Sequence, residues 1–390
     1  MFKSLRVYRR SGDTAGTVPL IPDGTRFTLP AEATWREALR TTLETVLHSW
    51  GYDGVQTPAL EVFDAAHPQV DKSFKLVDRD GSVLALRGEY TTAIGNLVRS
   101  AYSSADYPLR LRYSGALWVR TRDAELGRAR EYTQVGAELL GVSTPLADAE
   151  IVTLALECLD AVGLPRAAVE LGHPGFVRAV LSETGLAAHV IEELRTAIHR
   201  KNGPELSALL EMYGVKGRSR DAVMKLIDLY GSADVLLEAE QYALNDAAQA
   251  ALEELRVVAA LLPGERFLFD LGIARRLDYY TGVIFQAYTP DFGQPICGGG
   301  RYDGAPSPTL EPIPAAGFAL GLERLMTALG GEPPVLSAVD AIALDAATAR
   351  DLRQRGQRVI MAWTRDRATL ERYAALHGIA RIVGQLEVSA

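Results

Sequence analysis

Three short stretches place reactive or ligand-binding side chains close together. Arg275-Arg276-Leu277-Asp278-Tyr279-Tyr280-Thr281-Gly282 sets guanidinium groups, a carboxylate and two phenols within one short segment beside a predicted strand. Taken alone it also fits a tight turn with a surface ion pair and core tyrosines. Cys297-Gly298-Gly299-Gly300-Arg301-Tyr302-Asp303-Gly304 puts three glycines inside a predicted strand, where they weaken the strand and leave nothing to pack. Close approach of a ligand to the backbone would explain them, and so would a bulge. In Gly317-Phe318-Ala319-Leu320-Gly321-Leu322-Glu323-Arg324-Leu325 small residues lead into a helix whose first turn holds an arginine, placed to meet a phosphate. The plainer reading is a helix-packing glycine pair with an exposed Glu–Arg. No one of the three identifies a function, because short motifs recur by chance.

The elements that must position these stretches follow from periodicity and turn residues. Gly12, Gly16, Pro19, Pro22, Gly24 and Pro30 punctuate an irregular start. Trp35, Leu39, Leu43, Val46, Leu47 and Trp50 then recur at three- and four-residue steps, which predicts a helix from Pro30 to Gly51. Short apolar runs at Gly54–Leu60, Phe74–Val77, Ser82–Leu86, Leu109–Tyr113, Ala116–Val119 and Tyr132–Leu140 predict an antiparallel sheet, with a helix at Thr91–Ser104. A helix at Ala147–Val162 and a strand at Ala168–Leu171 come next. From 174 to about 262 the chain is rich in Ala, Leu and Glu at helical spacing, which predicts an all-helical insertion. Strands resume at Arg266–Asp270, Gly282–Tyr288 and Pro295–Gly299, and a last core helix covers Gly321–Leu329. Beyond Gly330–Pro334, residues 335–390 alternate strand and helix as a small α/β domain.

The chain has 390 residues, enough for two or three domains. With 41 Lys+Arg against 49 Asp+Glu its net charge is −8, which gives no overall attraction for nucleic acid. Cys158 and Cys297 form no CxxC or Cys/His metal spacing, which fits a reducing, cytoplasmic compartment and predicts no metal. The basic N-terminal residues lead into no signal-like apolar stretch, and the longest apolar run, near Val257–Leu262, is far too short for a membrane span.

In order along the chain, the three stretches resemble the histidyl-tRNA synthetase family: its RxLDYYTG-type segment, its GGGRYDG segment, and the class II signature GFAxGxERL. Leu86-Arg87-Gly88-Glu89-Tyr90-Thr91 is similar to its LRPExT segment, with Gly88 in place of proline. Gly127 to Glu138 (GRAREYTQVGAE) is similar to the second half of class II motif 2. The resemblance covers roughly 20–330. It implies an α+β fold, a class II aminoacyl-tRNA synthetase-like core with a mostly antiparallel sheet flanked by helices, and a homodimer formed near residues 32–60. Trp35, Leu43 and Trp50 are expected at or near that face. Glu89, Thr91, Gln134, Glu138, Tyr279 and Tyr280 match positions that surround bound histidine in the synthetases. Arg275 matches the catalytic arginine and is a candidate for the ligand carboxylate.

The departures are as informative. Trp118-Val119-Arg120-Thr121-Arg122-Asp123 stands where the synthetases read FRYERP. Val119 replaces the arginine that grips the ATP α-phosphate, and Thr121 replaces the glutamate that contacts the nucleotide. Losing one such contact typically costs about 3 kcal/mol of transition-state stabilisation. Arg120 could take over only by a one-residue slip, which would turn its strand neighbours to the opposite face. Arg276 replaces a small glycine, Gly304-Ala305-Pro306-Ser307-Pro308 breaks the pattern that leads toward motif 3, and the tail is too short for a full anticodon-binding domain.

Loss of the nucleotide contacts with retention of the amino-acid contacts resembles a paralogue group, the regulatory subunits of short-form ATP phosphoribosyltransferase. The opening Leu20-Ile21-Pro22-Asp23-Gly24-Thr25-Arg26 is also more similar to that group. The resemblance implies no catalytic residues, no cofactor, L-histidine as ligand, and a hetero-oligomer with the catalytic subunit. A divergent histidyl-tRNA synthetase and a stand-alone amino-acid-activating ligase are the enzymatic alternatives. Histidine-dependent ATP–pyrophosphate exchange separates both from the regulator.

Overall fold

The computed structural model describes residues 21–65, 67, 70–120, 129–262, 264, 266–273, 280–290, 292–302, 312–331 and 333–385. These fall into two compact units, one drawn from residues 21–27 and 36–331, the other from 28–35 and 333–385. Helix α1 (Pro30–Ser49) ends at Gly51, whose φ of 81° is a left-handed conformation that glycine adopts without strain. Leu39, Leu43 and Leu47 form its buried stripe. Leu43 is fully buried inside the subunit and so offers no surface to a second copy. Trp50 donates its indole N–H to Glu157 of the same chain at 2.8 Å.

The first unit is built on a nine-stranded sheet. Its strands, in chain order, are β1 (Asp53–Gly54), β5 (Leu109–Trp118), β6 (Glu131–Leu140), β7 (Ala168–Gly172), β8 (Tyr230–Gly231), β9 (Phe267–Asp270), β10 (Ile284–Thr289), β11 (Phe292–Tyr302) and β12 (Ala315–Gly321). Spatially they run β1-β5-β6-β12-β11-β10-β7-β9-β8. Only β1·β5 and β7·β9 are parallel, so the mostly antiparallel α+β expectation holds. A separate antiparallel sheet joins β2 (Leu60–Val62), β3 (Lys75–Val77) and β4 (Val83–Leu86) in the order β2-β4-β3.

Several expected elements differ in detail. The run expected at Gly54–Leu60 divides into β1 and β2, which belong to different sheets. The two runs expected at Leu109–Tyr113 and Ala116–Val119 are one strand, because the ladder to β6 continues through Ser114 and Gly115. Helix α2 (Thr91–Ala101) stops early and is followed by a 3-10 turn at Ser104–Asp106. The insertion holds α4 (Pro174–Ser182), α5 (Ala188–His199), α6 (Gly203–Met212), α7 (Gly217–Lys225), α8 (Asp234–Ala239) and α9 (Asp246–Leu261). It is not purely helical, since β8 lies within it and pairs with β9. Strand β12 was not expected at all.

One face of the large sheet packs on α3 (Pro145–Ala161) and α10 (Leu322–Leu329). The other packs on α2, where Tyr90, Ile94 and Val98 meet Leu111, Tyr113, Leu117, Leu140, Tyr302 and Ala315. The second unit is a parallel sheet of β13 (Ala341–Ala343), β14 (Val359–Met361) and β15 (Arg381–Val383), with β13 central, and helices α11 (Ala346–Gln354) and α12 (Arg367–His377).

Candidate functional site

Successive side chains of a strand alternate between its faces, so Gln134, Gly136 and Glu138 of β6 share one. The ladders place Tyr113 and Ala319 beside Gly136, and Leu111 and Gly317 beside Glu138. Gly298 lies beside Ala319, and Gly300 beside Gly317. The central strands thus present a floor of glycine and alanine on the face that carries α2. Two of these glycines are already filled from above. A Cβ on Gly317 would overlap the Glu138 carboxylate, and one on Gly136 would overlap the Tyr113 phenol. Among the described residues, Gly321, opposite Gln134, has nothing within 4 Å of its missing Cβ, and at Gly298 the nearest atoms are 3.7 and 3.9 Å away. Among these residues the floor is open on that side. Gly317 makes room for a side chain, Gly299 and Gly300 admit the backbone of neighbouring strands, and Gly298 and Gly321 have no close neighbour among the described residues.

Glu138 is 2% exposed. The Tyr302 hydroxyl donates to its Oε2 at 3.0 Å, and the Thr91 hydroxyl lies 3.4 Å from Oε1. Burial raises its pKa to about 8, the Glu89 charge pushes the same way, and the two hydroxyls oppose it. Near neutral pH this carboxyl keeps its proton and can both donate and accept, as can an imidazole.

Glu89 stands just before α2. Its Oε1 and Oε2 accept the Thr92 backbone N–H at 2.9 and 3.2 Å, which satisfies one of the free donors at the helix start. His67 Nε2 lies 3.2 Å from Oε1 and 3.1 Å from the Thr92 hydroxyl. Burial alone would raise this carboxyl, but hydrogen bonds from His67 and Thr92 outweigh it and hold its pKa below the usual range. The site thus contains one carboxylate kept charged and one carboxyl kept neutral, an arrangement that assigns different tasks to like groups. An ammonium suits the first, and a neutral heterocycle the second.

Of the residues singled out in the sequence, Thr91 meets Glu138, and Gln134 is half-buried on the same face of the sheet. Tyr280 packs against the Tyr90–Tyr113–Tyr302 cluster. Arg275 and Tyr279 lie outside the described residues, as do Arg276, Thr121 and 304–308. Val119 follows the last residue of β5, and its N–H still pairs with the Arg130 carbonyl at 2.9 Å. Arg120 donates its N–H to the Lys72 carbonyl and is exposed.

Arg301, Glu323 and Arg324 of the motifs have structural work. Arg301 is buried, pairs with Asp148 at 2.8 Å and donates to the Val142 and Thr144 carbonyls, tying β11 to the start of α3. Glu323 accepts the Thr133 N–H at 3.1 and 3.0 Å and pairs with Arg36 at 2.8 Å. Arg324 donates to the Pro295 carbonyl at 3.2 Å. Three site residues escaped the sequence reading. Tyr302 lay inside a quoted motif, and Tyr113 was findable as the cross-strand partner of Gly136. Nothing in the spacing links His67 to Glu89. Among the described residues no His/Cys/Asp/Glu group could hold a metal, and no helix is long and apolar enough to cross a membrane.

A floor of glycines, a carboxyl pair at a helix start and a large antiparallel sheet define a histidyl-tRNA synthetase-like chain. The histidyl-tRNA synthetase family model matches residues 24–325. The ATP phosphoribosyltransferase regulatory subunit of Deinococcus radiodurans is 46% identical over 381 residues, covering 97% of this chain and 92% of that protein. That of Thermus thermophilus is 48% identical over 329 residues, covering 83% and 89%. Among solved structures, an ATP phosphoribosyltransferase regulatory subunit/histidyl-tRNA synthetase from Bacillus halodurans C superposes with a TM-score of 0.80 at 28% identity, covering 93% of this chain and 97% of that one. The chain belongs to the ATP phosphoribosyltransferase regulatory subunit family, a branch of the histidyl-tRNA synthetase-like fold.

Proposed function

We propose that this chain is the non-catalytic partner of a short ATP phosphoribosyltransferase catalytic subunit, which it activates and makes sensitive to L-histidine. The sensor is the pocket of Glu89, Thr91, Gln134, Glu138 and Tyr280, with Arg275 and Tyr279 completing it. A cytoplasmic setting and a homodimer through the first unit go with this reading. The observation that carries it is the contrast within one sheet face. The amino-acid end keeps a charged Glu89 and a neutral Glu138 over a glycine floor. The nucleotide end has Val119 where an adenylate-forming enzyme needs a cation.

The test is co-purification with the catalytic subunit, followed by phosphoribosyl transfer assayed with and without L-histidine. A stable hetero-oligomer whose activity exceeds that of the catalytic subunit alone, and falls with L-histidine, is the expected result. Gel filtration at micromolar concentration that shows no complex would defeat the proposal. So would robust histidine-dependent ATP–pyrophosphate exchange by the chain alone.

A further inference from the structure

Glu89 uses its two oxygens unequally. Oε1 accepts the shorter bond from the Thr92 N–H, at 2.9 Å, and also faces His67 Nε2 at 3.2 Å. Among the described residues Oε2 takes the longer share of that N–H, at 3.2 Å, and the Thr92 hydroxyl also bonds this carboxylate. A carboxylate oxygen accepts about two hydrogen bonds, so Oε1 is filled while Oε2 retains capacity. The imidazole and the carboxylate are both mostly buried, with side chains 17% and 18% exposed, so the contact is not a chance surface pairing. Nε2 also lies 3.1 Å from the Thr92 hydroxyl, which fixes the ring against the first turn of α2.

We propose that His67 is a positioning and specificity residue of the pocket, holding Oε1 of Glu89 so that Oε2 faces the ammonium group of an amino-acid ligand. The inference rests on the pocket reading above and adds a residue to it. The surroundings give it a pH signature. The groups that face His67 include Glu89 and Thr92 at the start of α2, Glu61 on β2, and Asp64 just beyond that strand. The hydrogen bond with Glu89 raises the imidazole pKa against the effect of burial, and the Glu89, Glu61 and Asp64 charges add to the rise. Burial pushes Glu61 up to about 7. As pH rises Glu61 loses its proton near 7, and the imidazolium also loses its charge. Both changes make the surroundings of Glu89 more negative, so affinity for an ammonium ligand rises with pH.

Calorimetry on the full chain with two ligands tests this. L-histidine carries the ammonium, and 3-(imidazol-4-yl)propanoate lacks it. His67→Ala is expected to weaken L-histidine about tenfold, and the propanoate by less than about twofold, since a hydrogen bond to a charged group carries about that factor. His67→Gln keeps an N–H donor and should recover most of the affinity near neutral pH. It should also flatten the rise with pH relative to the wild type, a comparison in which the ligand's own titration cancels. Equal loss for both ligands, or no loss for either, overturns the proposal and leaves the pocket reading standing. A wild-type chain that binds neither ligand, alone or in complex, overturns both. If the alanine variant fails to fold, the pH profile of His67→Gln decides.

Discussion

Between about pH 4.5 and 8 the folded chain keeps a proton on Glu138 that the unfolded chain releases. A group raised in the folded state adds stability that is fully present below its unfolded pKa and lost as pH climbs to the folded one. The loss has a ceiling of about 1.4 kcal/mol per pH unit for a single group. Glu89 has the opposite sign, so its contribution is lost in acid. Glu138→Gln retains shape and donor capacity without the titration. Urea denaturation at pH 5.5 and 8 should find the variant gaining on the wild type at the higher pH. A parallel fall of both proteins would mean that Glu138 holds no buried proton. The same variant keeps both a donor and an acceptor for a neutral imidazole, so calorimetry should find L-histidine binding largely retained. A carboxyl that lowers stability at working pH fits a role in binding better than one in packing.

Strand β12 positions this chemistry through what its residues lack. In Ala315-Ala316-Gly317-Phe318-Ala319-Leu320-Gly321 the small residues let Glu138 lie over Gly317, and they continue the row Gly136, Ala319, Gly298. Gly136→Ala should destabilise by about 1–3 kcal/mol, since its Cβ would strike the Tyr113 phenol and the Phe318 carbonyl. Gly298→Ala meets no atom of the described residues closer than 3.7 Å and should change stability by less than about 1 kcal/mol. Chemical denaturation of the two variants compares them directly, and equal losses would mean that the floor is not shaped as described. The same smallness made β12 illegible in the sequence. The strand is covered on both faces, so it shows no polar alternation, and Ala and Gly carry little strand propensity. Gly115 misled in another way, since it looks like a break in a strand while it makes room for the Tyr90 hydroxyl at the start of α2. Helices α1 and α3 were legible because α1 buries one stripe, α3 is buried almost throughout, and each runs into a glycine, Gly51 and Gly163. Glu89, Thr91, Gln134, Glu138 and Tyr280 were placed only through motif resemblance. His67 was not placed at all, because its link to Glu89 exists only once β2 and α2 have come together.

At the scale of the whole molecule, activation and sensing need not share residues, and the pocket gives a way to separate them. Feedback requires only that L-histidine bind one state of the assembly more tightly than another, and a coupling of roughly 1–3 kcal/mol suffices. Glu138 lies 2% exposed beneath α2 and so contributes nothing to a partner surface. Removing its carboxyl should therefore abolish sensing and spare assembly. The complex formed with Glu138→Ala is expected to match the wild-type complex in gel filtration and in uninhibited phosphoribosyl transfer, and to need at least about tenfold more L-histidine for half inhibition. Inhibition at unchanged concentration would move the sensor to the catalytic subunit, whatever this chain binds in isolation. Loss of the complex itself would mean that the core under α2 and the partner surface are one structural unit. Reciprocity adds a further check, since a ligand that weakens one state of the assembly must itself be bound more weakly by that state. Calorimetry of L-histidine into the free chain and into the complex should therefore give different affinities in the wild type, and no measurable binding to the pocket in the variant.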